Sequence, residues 1–90
     1  MRLDKFLALS GLVRRRTKAQ EACDRGYVAL DGVPAKPARP VRPGQELTLR
    51  LGGKESRYRV LGLPTRAVAR AARDELLELL EVHDIEPVED

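Results

Sequence analysis

The chain has 90 residues, of which 34% are charged and 3% aromatic, and it carries a formal net charge of +3 with a single cysteine, Cys23. Such a length holds one small domain with a modest, mainly aliphatic core. An intramolecular disulfide is excluded, and no stretch has the apolar length of a membrane-spanning helix.

The charge is unevenly placed. Residues 1–50 hold 11 Lys/Arg against 5 Asp/Glu, a surplus of +6, whereas residues 51–90 hold 6 against 9, a deficit of −3. The first half is the part suited to a polyanionic partner. Arg2, Asp4 and Lys5 interrupt the N-terminus and no apolar segment follows, so nothing reads as a signal peptide. With the lone cysteine, this points to a reducing cytoplasm.

Arg2 to Ser10 reads as a first helix. Leu3, Phe6 and Leu7 fall at i, i+3, i+4 and make one apolar face, with Arg2, Asp4 and Lys5 off it. Gly11 suits a left-handed C-cap. A basic run follows, Arg14, Arg15 and Arg16, then Thr17 and Lys18. The second helix runs from about Arg16 to Arg25, with Thr17-x-x-Gln20 fitting a capping box and Gly26 ending it. Its apolar face is Ala19, Ala22 and Cys23, small side chains that allow close approach to Phe6 and Leu7. Cations at the start of a helix oppose its dipole. They make sense where a phosphate oxygen arrives, because free N–H groups and guanidinium groups then converge on it.

Tyr27 to Leu30 reads as a short strand, and Asp31-Gly32 is a tight-turn signal. Pro34, Pro37, Pro40 and Pro43 forbid helix over the next stretch. Lys36, Arg39 and Arg42 recur there every third residue, which in a polyproline-like conformation would put them on one face. Glu46 to Leu51 alternates as a half-buried strand, Gly52-Gly53 makes a hairpin turn, and Ser56 to Leu63 returns with Tyr58, Val60 and Leu63 inward. Pro64-Thr65 opens a last helix to about Val82, on the spacing of Val68, Ala72, Leu76, Leu79 and Leu80. Its charge order, arginines first and glutamates later, opposes the helix dipole. An acidic tail ends the chain. The expected division is a domain over residues 1–63 and a C-terminal helical extension with the acidic tail over residues 64–90.

Catalytic and metal chemistry find little support. Cys23 sits on an apolar helical face and reads as core. His83 reads as a solvated side chain near the tail, and one His with one Cys makes no metal site. No cofactor is expected. The function classes left are an RNA-binding module and, as its rival, a protein-interaction module using the C-terminal helix or the acidic tail.

The ordered set Arg2-Leu3-Asp4-Lys5-Phe6-Leu7, Arg15-Arg16-Thr17-Lys18-Ala19, Gly26-Tyr27-Val28-Ala29-Leu30-Asp31-Gly32, Lys36-Pro37 and Pro43-Gly44 resembles the S-four RNA-binding domain. Asp31 stands where Asn is usual, Gln45 where Asp often follows Pro-Gly, and Arg15 where many members have a Ser or Thr cap. The resemblance covers roughly residues 1–51 and implies an α+β fold: two short helices, the αL motif, on a small curved mostly antiparallel sheet, here with a C-terminal helix added. It implies a non-catalytic protein that recognises structured RNA by shape and phosphate position. The implied contacts are Arg2, Lys5, Arg14, Arg15, Arg16, Thr17, Lys18, Arg25, Lys36 and Arg39. Pseudouridine synthesis, an activity of some members, would need a catalytic Asp on a further domain.

Among stand-alone bacterial members, the paired arginines before Thr17 and the short extension resemble the ribosome quality-control subgroup. That subgroup binds large ribosomal subunits carrying a stalled peptidyl-tRNA and supports C-terminal tailing of the nascent chain. A small heat-shock subgroup, which binds free large subunits still holding a nascent chain, is next nearest. The expected partners are therefore rRNA of the large subunit and peptidyl-tRNA, with no membrane and a monomeric state.

Overall fold

A computed structural model describes residues 1–65 and 70–85. Two helices, α1 (Leu3–Ser10) and α2 (Arg16–Asp24), precede five strands. These are β1 (Val28–Leu30), β2 (Val33–Pro34), β3 (Glu46–Leu51), β4 (Lys54–Val60) and β5 (Leu77–Asp84), and a 3-10 turn over Arg70–Glu75 leads into β5. The strands form one antiparallel sheet in the order β2-β1-β3-β4-β5.

The core lies between the helix pair and one face of the sheet. Leu3, Phe6 and Leu7 of α1 and Ala19, Ala22 and Cys23 of α2 are buried with Val28, Leu30, Leu47, Leu49 and Val60. The alternation in β3 is the cause: Leu47 and Leu49 point in, Thr48 and Arg50 out. Burial, and then the nearby Asp4 and Asp24 charges, push the Cys23 thiol up to about 11, so it is an unreactive core group.

The turns follow their residues. Gly11 caps α1 at φ 81, and Asp31 and Gly32 at φ 50 and φ 80 join β1 to β2. Asp31 also accepts the Glu46 amide through Oδ1 at 2.9 Å, which fixes the turn to β3. The Pro-rich loop does not form one extended face. Arg39 N–H closes a turn on the Lys36 carbonyl at 3.0 Å, so Lys36, Arg39 and Arg42 are not aligned as a polyproline helix would align them. Leu63 is 38% exposed and lies beyond the end of β4.

The C-terminal helix expected to about Val82 is not what the chain forms over residues 77–84. Those residues are β5, paired as Val60↔Leu77 and Tyr58↔Leu79, with a bulge beside Arg57/Tyr58 that sets Leu80 out of register. Leu80 is the extra residue, so Leu79 and Leu80 adjoin in sequence and the two-residue alternation of the strand is broken. In the strand the acidic residues escape the unfavourable dipole: Glu81 meets Arg57 at 2.7 Å and Asp84 meets Lys54 at 3.3 Å. His83 is likewise a strand residue and not part of a frayed tail; it is exposed, as expected, and lies 3.6 Å from Glu55 and from Glu81. The Leu76–Val82 surface expected of a helix is therefore presented by a strand, on which Leu79, Leu80 and Val82 are exposed. The start of that helix at residues 66–69 and the acidic tail at residues 86–90 lie outside the described residues.

Phe6 is fully buried beneath both helices and the sheet. Phe6→Ala should cost about 3–5 kcal/mol, as truncations of core Phe do. Chemical denaturation measures this; a loss under about 1 kcal/mol would put the ring outside the core.

Candidate nucleic-acid interface

The site is built around a carboxylate that the helical pattern assigned to the surface. Asp4 lies one position after Leu3 in the first turn of α1 and is fully buried. Its Oδ1 accepts from Arg2 Nε at 3.1 Å and from the Lys5 amide at 2.8 Å. Its Oδ2 accepts from Arg2 Nη2 at 3.2 Å, Arg16 Nε at 3.2 Å and Gln20 Nε2 at 2.8 Å. Burial pushes the carboxyl up, but the hydrogen bonds from Gln20, Arg2, Arg16 and the Lys5 amide outweigh it and hold the group at about 2. Asp4 thereby joins α1 to α2 and fixes two guanidinium groups side by side.

Those two groups are only half committed. The side chains of Arg2 and Arg16 are 50% and 46% exposed. Arg16 uses only Nε on Asp4, leaving both terminal nitrogens for another acceptor. Arg16 thus does not simply project from the helix start: it also satisfies a buried charge. Gln20 does the same and makes no capping box with Thr17, which is exposed. With Arg15 as N-cap and no side-chain cap, the first N–H groups of α2 have no partner among the described residues.

The remaining expected contacts divide into two groups. Lys5, Arg14, Arg15, Lys36 and Arg39 are exposed, and none has a carboxylate partner among the described residues. The loop brings Lys36 and Arg39 to the start of α1, because Pro37 and Arg39 carbonyls accept the Asp4 and Leu3 amides at 3.1 and 2.9 Å. Arg2 and Pro40 form an isolated bridge there, and Val41 N–H reaches the Met1 carbonyl at 2.8 Å. Lys18 and Arg25 form the other group: both pair with Glu21, at 3.4 and 3.5 Å. Arg25 follows the last turn of α2, about 13 Å along the helix axis from Arg16 at the usual rise per residue, so it is not part of the cluster around Asp4.

The arrangement therefore offers cations from three segments, oriented donors on two arginines and an open helix N-terminus, all suited to phosphate. Sequence reasoning missed Asp4 and Gln20 as organisers. The available signal was an acidic residue in a first helical turn, flanked by Arg2 and Lys5. Among the described residues no group of three or more His, Cys, Asp or Glu side chains could hold a metal ion, and no helix is long and apolar enough to cross a membrane.

Comparison with known proteins bears on this geometry. Residues 1–47 match the S4 domain family. A Bacillus subtilis protein named RQC P-site tRNA stabilizing factor is 52% identical over 54 residues, 60% of this chain and 63% of that protein. The match thus spans less than two thirds of that relative's length. A Halalkalibacterium halodurans protein of the same name is 38% identical over 88 residues, 98% of this chain and 96% of that protein. Among solved structures, Vibrio cholerae Heat Shock Protein 15 superposes with a TM-score of 0.84 at 26% identity, covering 89% of this chain and 81% of that one.

The Asp4 cluster has a pH signature. Its carboxyl is held at about 2 against an ordinary value of 3.8, so the folded state favours the ionised form. That contribution is fully present above about pH 4 and is lost as pH falls towards 2; the shift corresponds to about 2 kcal/mol. Urea unfolding of the protein and of Asp4→Asn between pH 6 and 2 should show the stability gap between them narrowing by that amount. A gap that stays constant across this window would mean the carboxylate is not held as described.

Proposed function

The chain belongs to the S4 domain family, and from that membership we propose that it is a non-catalytic RNA-binding protein of the cytoplasm. Its partners are rRNA of the large ribosomal subunit and peptidyl-tRNA. Its role is in ribosome-associated quality control, on subunits that hold a stalled nascent chain. The observation that carries this reading is the pair Arg2 and Arg16, both anchored on buried Asp4 and both half exposed, near cations that have no carboxylate partner among the described residues. The name shared by the relatives supports the P-site tRNA as partner, above all in the relative aligned over 98% of this chain. The expected RNA contacts are Arg2, Lys5, Arg14, Arg15, Arg16, Thr17, Lys18, Lys36 and Arg39, with Arg25 further along α2.

A second reading, a heat-shock-type factor for free large subunits with a nascent chain, is favoured by the superposition on Heat Shock Protein 15. Co-sedimentation with large subunits that carry or lack peptidyl-tRNA tests what the two readings share. Support of C-terminal tailing in a reconstituted system belongs to the first alone.

Arg15 tests the interface without disturbing Asp4, because its side chain is exposed and has no carboxylate partner among the described residues. Arg15→Ala should leave the melting temperature unchanged and reduce the slope of log K against log[salt] by about 0.7–0.9. The loss should be similar across RNA sequences of one shape, since phosphate contacts position without specifying. Arg59→Ala removes the same charge from β4, where the Arg59 side chain donates to the Gly44 carbonyl and has no carboxylate partner among the described residues. Equal weakening by Arg59→Ala would show that binding follows bulk charge.

A further inference from the structure

A cavity of about 220 Å³ lies between α2 and the end of β3, on the flank of α2 away from Arg16 and Gln20. We propose that it receives one unstacked RNA base, a site distinct from the phosphate contacts around Asp4. The inference rests on the RNA-binding reading above and adds to it a preference for RNA with an unpaired nucleotide.

The cavity's chemistry is that of a base site. Val13, Ala22 and Leu51 give it an apolar lining, with Tyr27 at one wall. Lys18 and Arg25 stand at its rim with Glu21 between them, 67%, 42% and 47% exposed, so two cations face one carboxylate. Both rim cations share Glu21 through surface pairs of 3.4 and 3.5 Å, and such pairs hold weakly in water. A phosphate on either side of an inserted base can therefore draw on them, and the two cations sit about 10 Å apart along the helix at the usual rise. An apolar lining alone fits a protein side chain equally well. The cationic rim favours a nucleotide, which brings an apolar ring and negative charge together.

Continuity with the interface gives the second reason. Val13 directly precedes Arg14, and Lys18 belongs both to the first turns of α2 and to the cavity. RNA whose backbone lies on Arg14 and Arg15 would have the cavity residues Val13 and Lys18 as its near neighbours. A paired base cannot enter, but a bulged or loop base can, at low cost because it has already left the stack.

The test uses the full chain and two RNA hairpins, one fully paired and one with a single bulged 2-aminopurine. The bulged hairpin should bind roughly fivefold or more tightly than the paired one, in line with the worth of base stacking. Its 2-aminopurine emission should change on binding. Leu51 is 41% exposed, so Leu51→Trp fills the cavity from its rim without entering the core. This variant should bind the paired hairpin as the parent does, yet lose both the preference and the emission change. Leu51→Glu, which places a negative charge there, should do the same; melting temperatures of both variants confirm folding. Equal affinity of the parent for the two hairpins would overturn the proposal, and so would a preference that survives both substitutions. Failure to bind either hairpin would instead count against the RNA-binding reading on which it rests.

Discussion

A carboxylate removed from water must be met by donors, and that requirement at Asp4 shapes this end of the molecule. Five hydrogen bonds from four residues meet it, and they come from both helices. Two of those donors are guanidinium groups whose other nitrogens face outward. One buried charge therefore does two things. It ties α1 to α2 where the connecting residues are short, and it holds Arg2 and Arg16 in fixed positions that free side chains would lose entropy to reach. The cost of burying Asp4 is offset within the fold, before any RNA arrives.

The Pro-rich loop contributes through its backbone. A helix begins with N–H groups that lack intrahelical partners. In α1 the first two, on Leu3 and Asp4, are taken by Arg39 and Pro37 carbonyls. Proline suits this role, since it keeps the chain out of helix while leaving its carbonyl free to accept. The far end of α1 is closed comparably by Arg73, which donates to the Ser10 and Gly11 carbonyls at 3.0 and 2.9 Å. A cation at a helix C-terminus complements the dipole. α1 is thus capped from both directions by distant parts of the chain, and α2, in contrast, keeps its N-terminus open. The difference places the available N–H groups next to Arg14, Arg15 and Arg16.

Much of this was legible in the sequence where local rules act alone. The apolar spacing of α1, the small-residue face of α2, the Asp31-Gly32 and Gly52-Gly53 turns and the leucine alternation of β3 all depend on near neighbours. Asp4 was not legible, because its burial depends on Arg16 and Gln20, which lie 12 and 16 residues away. Gln20 was read as a capping partner of Thr17 for the same reason: the local motif fitted, but a buried acceptor elsewhere offered the stronger bond. β5 was misread because a bulge at Leu80 erased its alternation, and because the open edge of β4 that recruits it is invisible to a local window.

The sheet also explains why the basic surface stays where it is. Outside the helix edge, cations are largely committed: Arg50 to Glu55, Lys54 to Asp84, and Arg57 to both Glu46 and Glu81. β5 supplies two of these carboxylates, so the acidic half of the sequence neutralises its own strand neighbours and leaves the helices alone. A surplus of +6 in residues 1–50 is then expressed mainly by Arg2, Lys5, Arg14, Arg15, Arg16, Lys36 and Arg39. Screening limits exposed charges to a reach of about 8–10 Å at physiological salt. Arg2 and Arg16, held on one carboxylate, act on the same stretch of phosphates, whereas cations spread over the sheet would act on none in particular. Folding the C-terminal segment as a strand, with Glu81 on Arg57 and Asp84 on Lys54, therefore neutralises cations of the sheet and not those held around Asp4.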